Sequence, residues 1–266
     1  MRESLRVSEL THAYGNRTVL DRVSFSVEEG EFFIVIGPNG SGKTTLVKAV
    51  SGALKPKGGG VEILGRSLGD YSHRALSRIV ALVPQTVPAD IPFTVEEVVL
   101  MGRSPHLGLL ELEKRTDQEI ALQAMQFTRV EHLARRRLDE LSQGERQRVL
   151  IARAVCQQPR IILLDEPTAS LDLAHQLLIM DLMEDLRHGE RVSVVMVSHD
   201  LNLACLYADR LLLMKGGQVM SVGTPDEVVE FHMLEKTYGC VLLVDRNPLK
   251  DVPRVTLVPK RLTRVL

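Results

Sequence analysis

At 266 residues, with 44% hydrophobic and 25% charged side chains, the chain holds enough apolar material for one large domain or two small ones. A net charge of −1 argues against any general attraction to nucleic acid or anionic membrane. Cys156, Cys205 and Cys240 are scattered, without a C-x-x-C pair or metal-ligand spacing, and are expected to be small buried hydrophobes in a reducing compartment.

Residues 4–36 read as β structure. Leu5 and Val7, then Val23, Phe25 and Val27, alternate with polar neighbours, and Tyr14-Gly15-Asn16-Arg17 suits a hairpin turn. The apolar run Phe32–Ile36 predicts a buried strand, followed by a helix from Lys43 to about Ser51 with Gly52 as its stop. Gly58-Gly59-Gly60 predicts a loop before a short strand Val61–Leu64. Further strands are expected at Ile79–Val83, Ile161–Leu164, Val192–Val197 and Arg210–Met214, with helical patterns between them, which argues for a mainly parallel α/β sheet. From about 87 to 158 the chain is strand-poor, as expected of an inserted helical subdomain. Two capping-box patterns, Thr94-x-x-Glu97 and Ser142-x-x-Glu145, mark helix starts there. The tail 241–266 is basic and predicts a terminal strand with a solvated face. No run approaches the roughly eighteen apolar residues that span a bilayer. Met1-Arg2-Glu3-Ser4 lacks an apolar signal core, so a cytosolic location is expected.

Three segments carry chemistry. Gly37-Pro38-Asn39-Gly40-Ser41-Gly42-Lys43-Thr44-Thr45 is a complete G-x-x-x-x-G-K-[ST] phosphate loop between a strand and a helix. Its glycines let the backbone wrap a phosphate, Lys43 suits the β- and γ-phosphates, and the Thr44 hydroxyl suits Mg²⁺. The strand Ile161–Leu164 ends in Asp165 and Glu166, carboxylates suited to Mg²⁺ and to polarising an attacking water. Leu141-Ser142-Gln143-Gly144-Glu145 is a second anion-seeking helix start, although one nucleotide needs only one cradle.

That pairing resembles the ATPase subunits of the ATP-binding-cassette (ABC) family. The resemblance implies one α/β domain with a phosphate-loop NTPase (RecA-like) core over 1–86 and 159–240, an N-terminal antiparallel β subdomain, the helical insertion at about 87–158 and the tail. It also implies ATP and Mg²⁺ as cofactors. In the family, the segment Leu141–Glu145 covers the γ-phosphate of ATP held by the other subunit, so a homodimer with two sandwiched nucleotides is implied. Gln85 resembles the glutamine that senses Mg²⁺ and water. Ser170-Leu171-Asp172 resembles the loop through which subunits touch, His199 the switch histidine, and Tyr14 the aromatic that stacks on adenine. The site so implied uses Lys43, Gln85, Glu166 and His199 for catalysis, and Thr44, Gln85 and Asp165 for Mg²⁺.

Only one cassette fits in the chain, and it lacks coiled coils and zinc modules. A transporter ATPase and a soluble cassette of iron–sulfur-cluster assembly both remain. Val99-Leu100-Met101-Gly102-Arg103-Ser104-Pro105-His106 resembles bacterial importers of iron–siderophore, haem or cobalamin, where this region lies near the groove that receives a permease helix. Without that resemblance it would read as an exposed loop in which Gly102 and Pro105 end a helix. The expectation is therefore an importer ATPase on the cytoplasmic side of the inner membrane. Its partners would be integral membrane permease subunits and, indirectly, a substrate-binding protein, without nucleic acid. Another importer, such as one for molybdate, is the further alternative.

Overall fold

The computed structural model describes residues 2–85, 92–108 and 111–261, which form two compact units, Met1–Ser67 with Ser193–Leu266, and Leu68–Val192. In the first unit, strands β1 (Glu3–Tyr14) and β2 (Arg17–Glu28) form the expected hairpin around Gly15-Asn16. Leu5 faces Val27 and Val7 faces Phe25, and all four side chains are buried, which is why the alternation was readable. Strand β3 (Phe32–Ile36) is buried throughout and leads through the phosphate loop into helix α1 (Lys43–Val50).

The three glycines after it behave differently from the expected loop. They belong to strand β4 (Gly58–Ile63), which pairs antiparallel with β1 and continues into β5 (Arg66–Ser67). The register slips between Ser8 and Thr11, and there Gly59 has φ +75°. A Cβ on Gly59 would sit 2.3 Å from the Glu9 carbonyl oxygen. The glycine marks a close backbone approach at a bulge rather than a break in the sheet.

The second unit opens with α2 (His73–Ser77), then strand β6 (Val80–Val83). Helices α3 (Val95–Leu100), α4 (Arg115–Phe127) and α5 (Gln143–Cys156) follow before strand β7 (Ile161–Asp165), which runs parallel to β6. Helix α6 (Leu173–Glu190) ends the unit. Both capping boxes form as expected: the Thr94 and Ser142 hydroxyls accept from the Glu97 and Glu145 amides, and each glutamate accepts from its cap residue's amide in return. The apolar faces of α3, α4 and α5 meet in a core that includes Val95, Val99, Met125, Leu138, Val149 and Ala152.

Met101–His106 is not an exposed loop. It is a 3-10 turn whose Arg103 is buried, donating to Asp117 at 2.9 Å, the Cys156 carbonyl at 2.9 Å and the Gln158 side chain at 3.0 Å. Gly102 lets this turn press on α5, because a Cβ there would meet the Arg153 carbonyl oxygen at 2.3 Å.

The chain then returns to the first unit. Strand β8 (Ser193–Val197), helix α7 (Leu201–Tyr207), and strands β9 (Arg210–Lys215) and β10 (Gln218–Gly223) come next. Strands β8 and β9 flank β3 in parallel, and β10 closes that edge antiparallel. After α8 (Pro225–Val228) and α9 (Phe231–Tyr238), the tail folds as a hairpin of β11 (Leu242–Arg246) and β12 (Pro253–Leu257), where one terminal strand was expected. Arg254 pairs with Asp245 across it, and Asn202 of α7 both donates to and accepts from the Val255 backbone. Cys156 and Cys205 are buried, and burial pushes their thiols up to about 11 and about 12. Cys240, expected to be buried, is exposed, because it falls in the turn between α9 and β11. Among the described residues, no helix is long and apolar enough to cross a membrane.

Candidate nucleotide site

The phosphate loop is shaped by backbone crowding. Gly37 has φ +145° and Gly42 φ +99°; a Cβ on the first would lie 2.2 Å from the Met214 carbonyl oxygen, and on the second 2.6 Å from that of Val19. Only glycine meets both demands. The turn between β9 and β10 fastens the loop, with the Gly217 amide donating to the Ser41 carbonyl at 3.1 Å. Lys43 is buried, and its ammonium donates to the Gly37 and Pro38 carbonyls at 2.8 and 3.1 Å. Gly42, the N-cap of α1, has no side chain with which to cap the helix's first turn. The buried Ser41 hydroxyl has no partner within the described residues. A fixed ammonium at an uncapped helix start, beside an orphaned hydroxyl, fits a polyphosphate. Asn39 and Gly40 are exposed, and Thr45 is buried.

In the same unit, His199 follows β8 and is exposed. Its neighbours hold it in place: the Ser198 amide donates to the Val35 carbonyl, and Asp200 caps α7 by accepting from Asn202 and Leu203 at 2.9 Å each. Tyr14 ends β1 about half exposed, and the ring of His12 lies edge-on to it at 4.9 Å. About half of Tyr14 thus stays exposed, enough surface for an aromatic ring to meet a planar partner.

The carboxylates belong to the second unit. Strand β7 is buried to its last residue, Asp165, and Glu166 follows in the left-handed region at φ +52°. A glutamate held there costs on the order of 1–3 kcal/mol, which persists only where surrounding contacts over-determine it. One such contact is visible: the Gln85 amide donates to the Glu166 carboxylate at 2.6 Å. The structure therefore brings Gln85 and Glu166 together although they lie far apart in the chain.

Leu141 is buried beneath the start of α5, while Ser142 and Gln143 are exposed. The Glu145 carboxyl is held below its usual range by the Ser142 hydroxyl and amide. Ser170 takes φ +61°, Leu171 is part-buried, and Asp172 caps α6. One member of this constellation had no signal in the sequence. His175 lies against Gly144, and the contact joins helices whose sequences say nothing of one another. Its only local trace is an Asp three residues ahead, the spacing of an N-cap. The hydroxyl of Thr44, the amide of Gln85 and the buried carboxylate of Asp165 are oxygen donors of the kind Mg²⁺ takes.

Comparison with known proteins agrees with this chemistry. The family profile described as "ABC transporter" matches residues 20–169. The chain is 37% identical over 253 residues to the ferric enterobactin transport ATP-binding protein FepC of Escherichia coli K12, covering 94% of this chain and 93% of that one. It is 43% identical over 246 residues to the hemin import ATP-binding protein HmuV of Gloeobacter violaceus, covering 90% and 88%. Among solved structures it resembles an inward-facing conformation of a transporter assigned to the metal-chelate type, with a TM-score of 0.87, 29% identity, and coverage of 98% and 100%. It also resembles the dimeric bacterial ABC transporter cassette MJ0796, with a TM-score of 0.74, 30% identity, and coverage of 83% and 98%.

Proposed function

The chain belongs to the ABC transporter family, and we propose that it is the ATP-binding and ATP-hydrolysing subunit that powers an importer of metal chelates, namely iron–siderophore, haem or cobalamin. The observation that carries the ATPase reading is Lys43, a buried ammonium held by the loop's own carbonyls at the uncapped start of α1. The cargo class draws on relatives named for ferric enterobactin transport, hemin import and cobalamin import.

Phosphoryl transfer asks a protein for positioning and charge stabilisation more than for covalent work. Lys43 and the N–H groups of residues 40–45 bind the β- and γ-phosphates, and Tyr14 stacks on adenine. Glu166 takes the proton of the attacking water at its carboxylate, and Gln85 aims that carboxylate through their 2.6 Å bond. His199 donates to the γ-phosphate. Thr44, Gln85 and Asp165 are the residues that would hold Mg²⁺, which when bound neutralises charge on the phosphates. Ser142 and Gly144 close over the nucleotide of a second copy, with Ser170-Leu171-Asp172 at the contact. ATP binding then favours the closed homodimer, and loss of the γ-phosphate releases it. The permease subunits receive this motion at the cytoplasmic face of the inner membrane, and a substrate-binding protein delivers the cargo.

Uptake of labelled ferric siderophore, haem and cobalamin in a strain lacking this chain tests the cargo. One uptake should fail, and be restored by the wild-type chain but not by Lys43→Ala. Undisturbed uptake of all three would overturn the cargo class. Nucleotide titration tests the cradle: Lys43→Ala should bind ATP far more weakly, and unchanged affinity would overturn that assignment.

A further inference from the structure

We propose that His175 is a positioning residue that locks the dimer loop, Ser170-Leu171-Asp172, to the signature turn at Gly144 within one subunit, so that the γ-phosphate clamp and the subunit contact move as one body. The proposal rests on the reading that Ser142 and Gly144 close over the nucleotide of a second copy.

Gly144 lies in the first turn of α5, without the positive φ that would call for glycine. In a helix, alanine is the better residue by about 1 kcal/mol. The glycine is explained by what lies over it. A Cβ there would meet the His175 ring, at 2.7 Å from Cδ2, 3.0 Å from Cγ and 3.1 Å from Nε2.

Nor can the ring swing aside at no cost. Its Nδ1 lies 2.7 Å from the Asp172 carboxylate, and the same oxygen accepts the His175 amide at 2.9 Å. A carboxylate only accepts, so Nδ1 carries the proton and donates. One oxygen thus caps α6 and orients the imidazole. The next residue holds the other side of the loop, with the Gln176 amide donating to the Leu171 carbonyl at 3.0 Å. The first turn of α6 therefore grips the dimer loop with two consecutive side chains and presents the ring of the first to Gly144. A displacement of Asp172 at the subunit contact reaches the signature turn through one imidazole.

The test uses the purified full chain in five forms besides wild type: His175→Ala, His175→Asn, Gly144→Ala, the double variant of His175→Ala with Gly144→Ala, and Ser142→Arg as a block of the clamp. ATP affinity of the monomer, ATP-driven dimerisation, and the separate kcat and KM of ATP hydrolysis are measured on each. His175→Ala should lower kcat about ten- to hundredfold, the scale of a small misplacement remote from the chemistry, with KM and monomer affinity unchanged. His175→Asn, whose amide can still donate to Asp172, should recover part of the loss. Gly144→Ala should suppress dimerisation, and adding His175→Ala should relieve it by removing the ring that the new methyl strikes. Wild-type kcat and dimerisation in His175→Ala, while Ser142→Arg is blocked, would overturn this proposal alone. A double variant no better than Gly144→Ala would do the same. A Ser142→Arg protein that still dimerises would bring down the clamp and this proposal with it.

Discussion

Replacing Arg103 by alanine takes from Asp117 its buried partner, since the Arg103 and Asp117 side chains are 7% and 9% exposed and their nearest atoms lie 2.9 Å apart. Removing one partner of a buried pair usually costs about 3–5 kcal/mol, because the other charge is left without compensation. Here Asp117 keeps the Lys114 amide at 3.0 Å, and Gln158 is exposed and recovers water, so the lower end applies, about 3 kcal/mol. For a chain of this size that lowers the melting temperature by roughly 6–12 °C, at about 2–4 °C per kcal/mol. Thermal and denaturant melts of wild type, Arg103→Ala, Asp117→Ala and the double variant Arg103→Met/Asp117→Ala measure it. The double variant should be less destabilised than the sum of the singles, because it leaves no stranded charge. Arg103→Lys should recover little, because three acceptors in different directions need the guanidinium fork. An Arg103→Ala protein within about 1 kcal/mol of wild type, or a strictly additive double variant, would refute the reasoning.

Glu166→Gln should lower kcat by about 10²–10⁴-fold while still forming the ATP-bound dimer, as seen by size-exclusion chromatography with ATP; turnover at the wild-type rate would remove Glu166 from the base role. Gly59→Ala puts a methyl against the Glu9 carbonyl and a non-glycine residue at φ +75°; it should cost at least about 2 kcal/mol in a denaturant melt, and a neutral result would contradict the bulge. Glu97 and Glu145 are both held below the ordinary 4.5 by their capping partners. Between the folded and the ordinary value the unfolded chain binds more protons, so stability rises with pH there. Their capping contribution is whole above pH 4.5 and is lost as acid takes the pH through the folded value; acid titrations of Glu97→Gln and Glu145→Gln should each show a shallower loss than wild type. Asn202→Ala removes both bonds to Val255, worth about 1–3 kcal/mol together, and hydrogen exchange at the β12 amides should quicken while that of β3 does not.

Much of this protein was legible before any coordinate, for one physical reason: those features are local. The phosphate loop is nine consecutive residues between a strand and a helix, and its lysine turns back on carbonyls five and six residues away. The boxes at Thr94 and Ser142 close over three residues. The buried runs of β3 and β7 announce themselves by composition. The features that the sequence hid are joined across the chain. Arg103 reaches acceptors 14 and 53 residues away, so a segment that reads as a solvent loop is pinned from beneath. Gly58-Gly59-Gly60 resembles a break because the reason for it, the Glu9 carbonyl, lies in another strand. Gln85 and Glu166 meet across 81 residues, and the ring over Gly144 comes from a different helix. The sequence alone determined which chemistry the chain carries, since helix starts and glycine turns are set by neighbours along the backbone. Only the tertiary structure decided which side chains hold that chemistry in place, because packing pairs residues that no spacing relates.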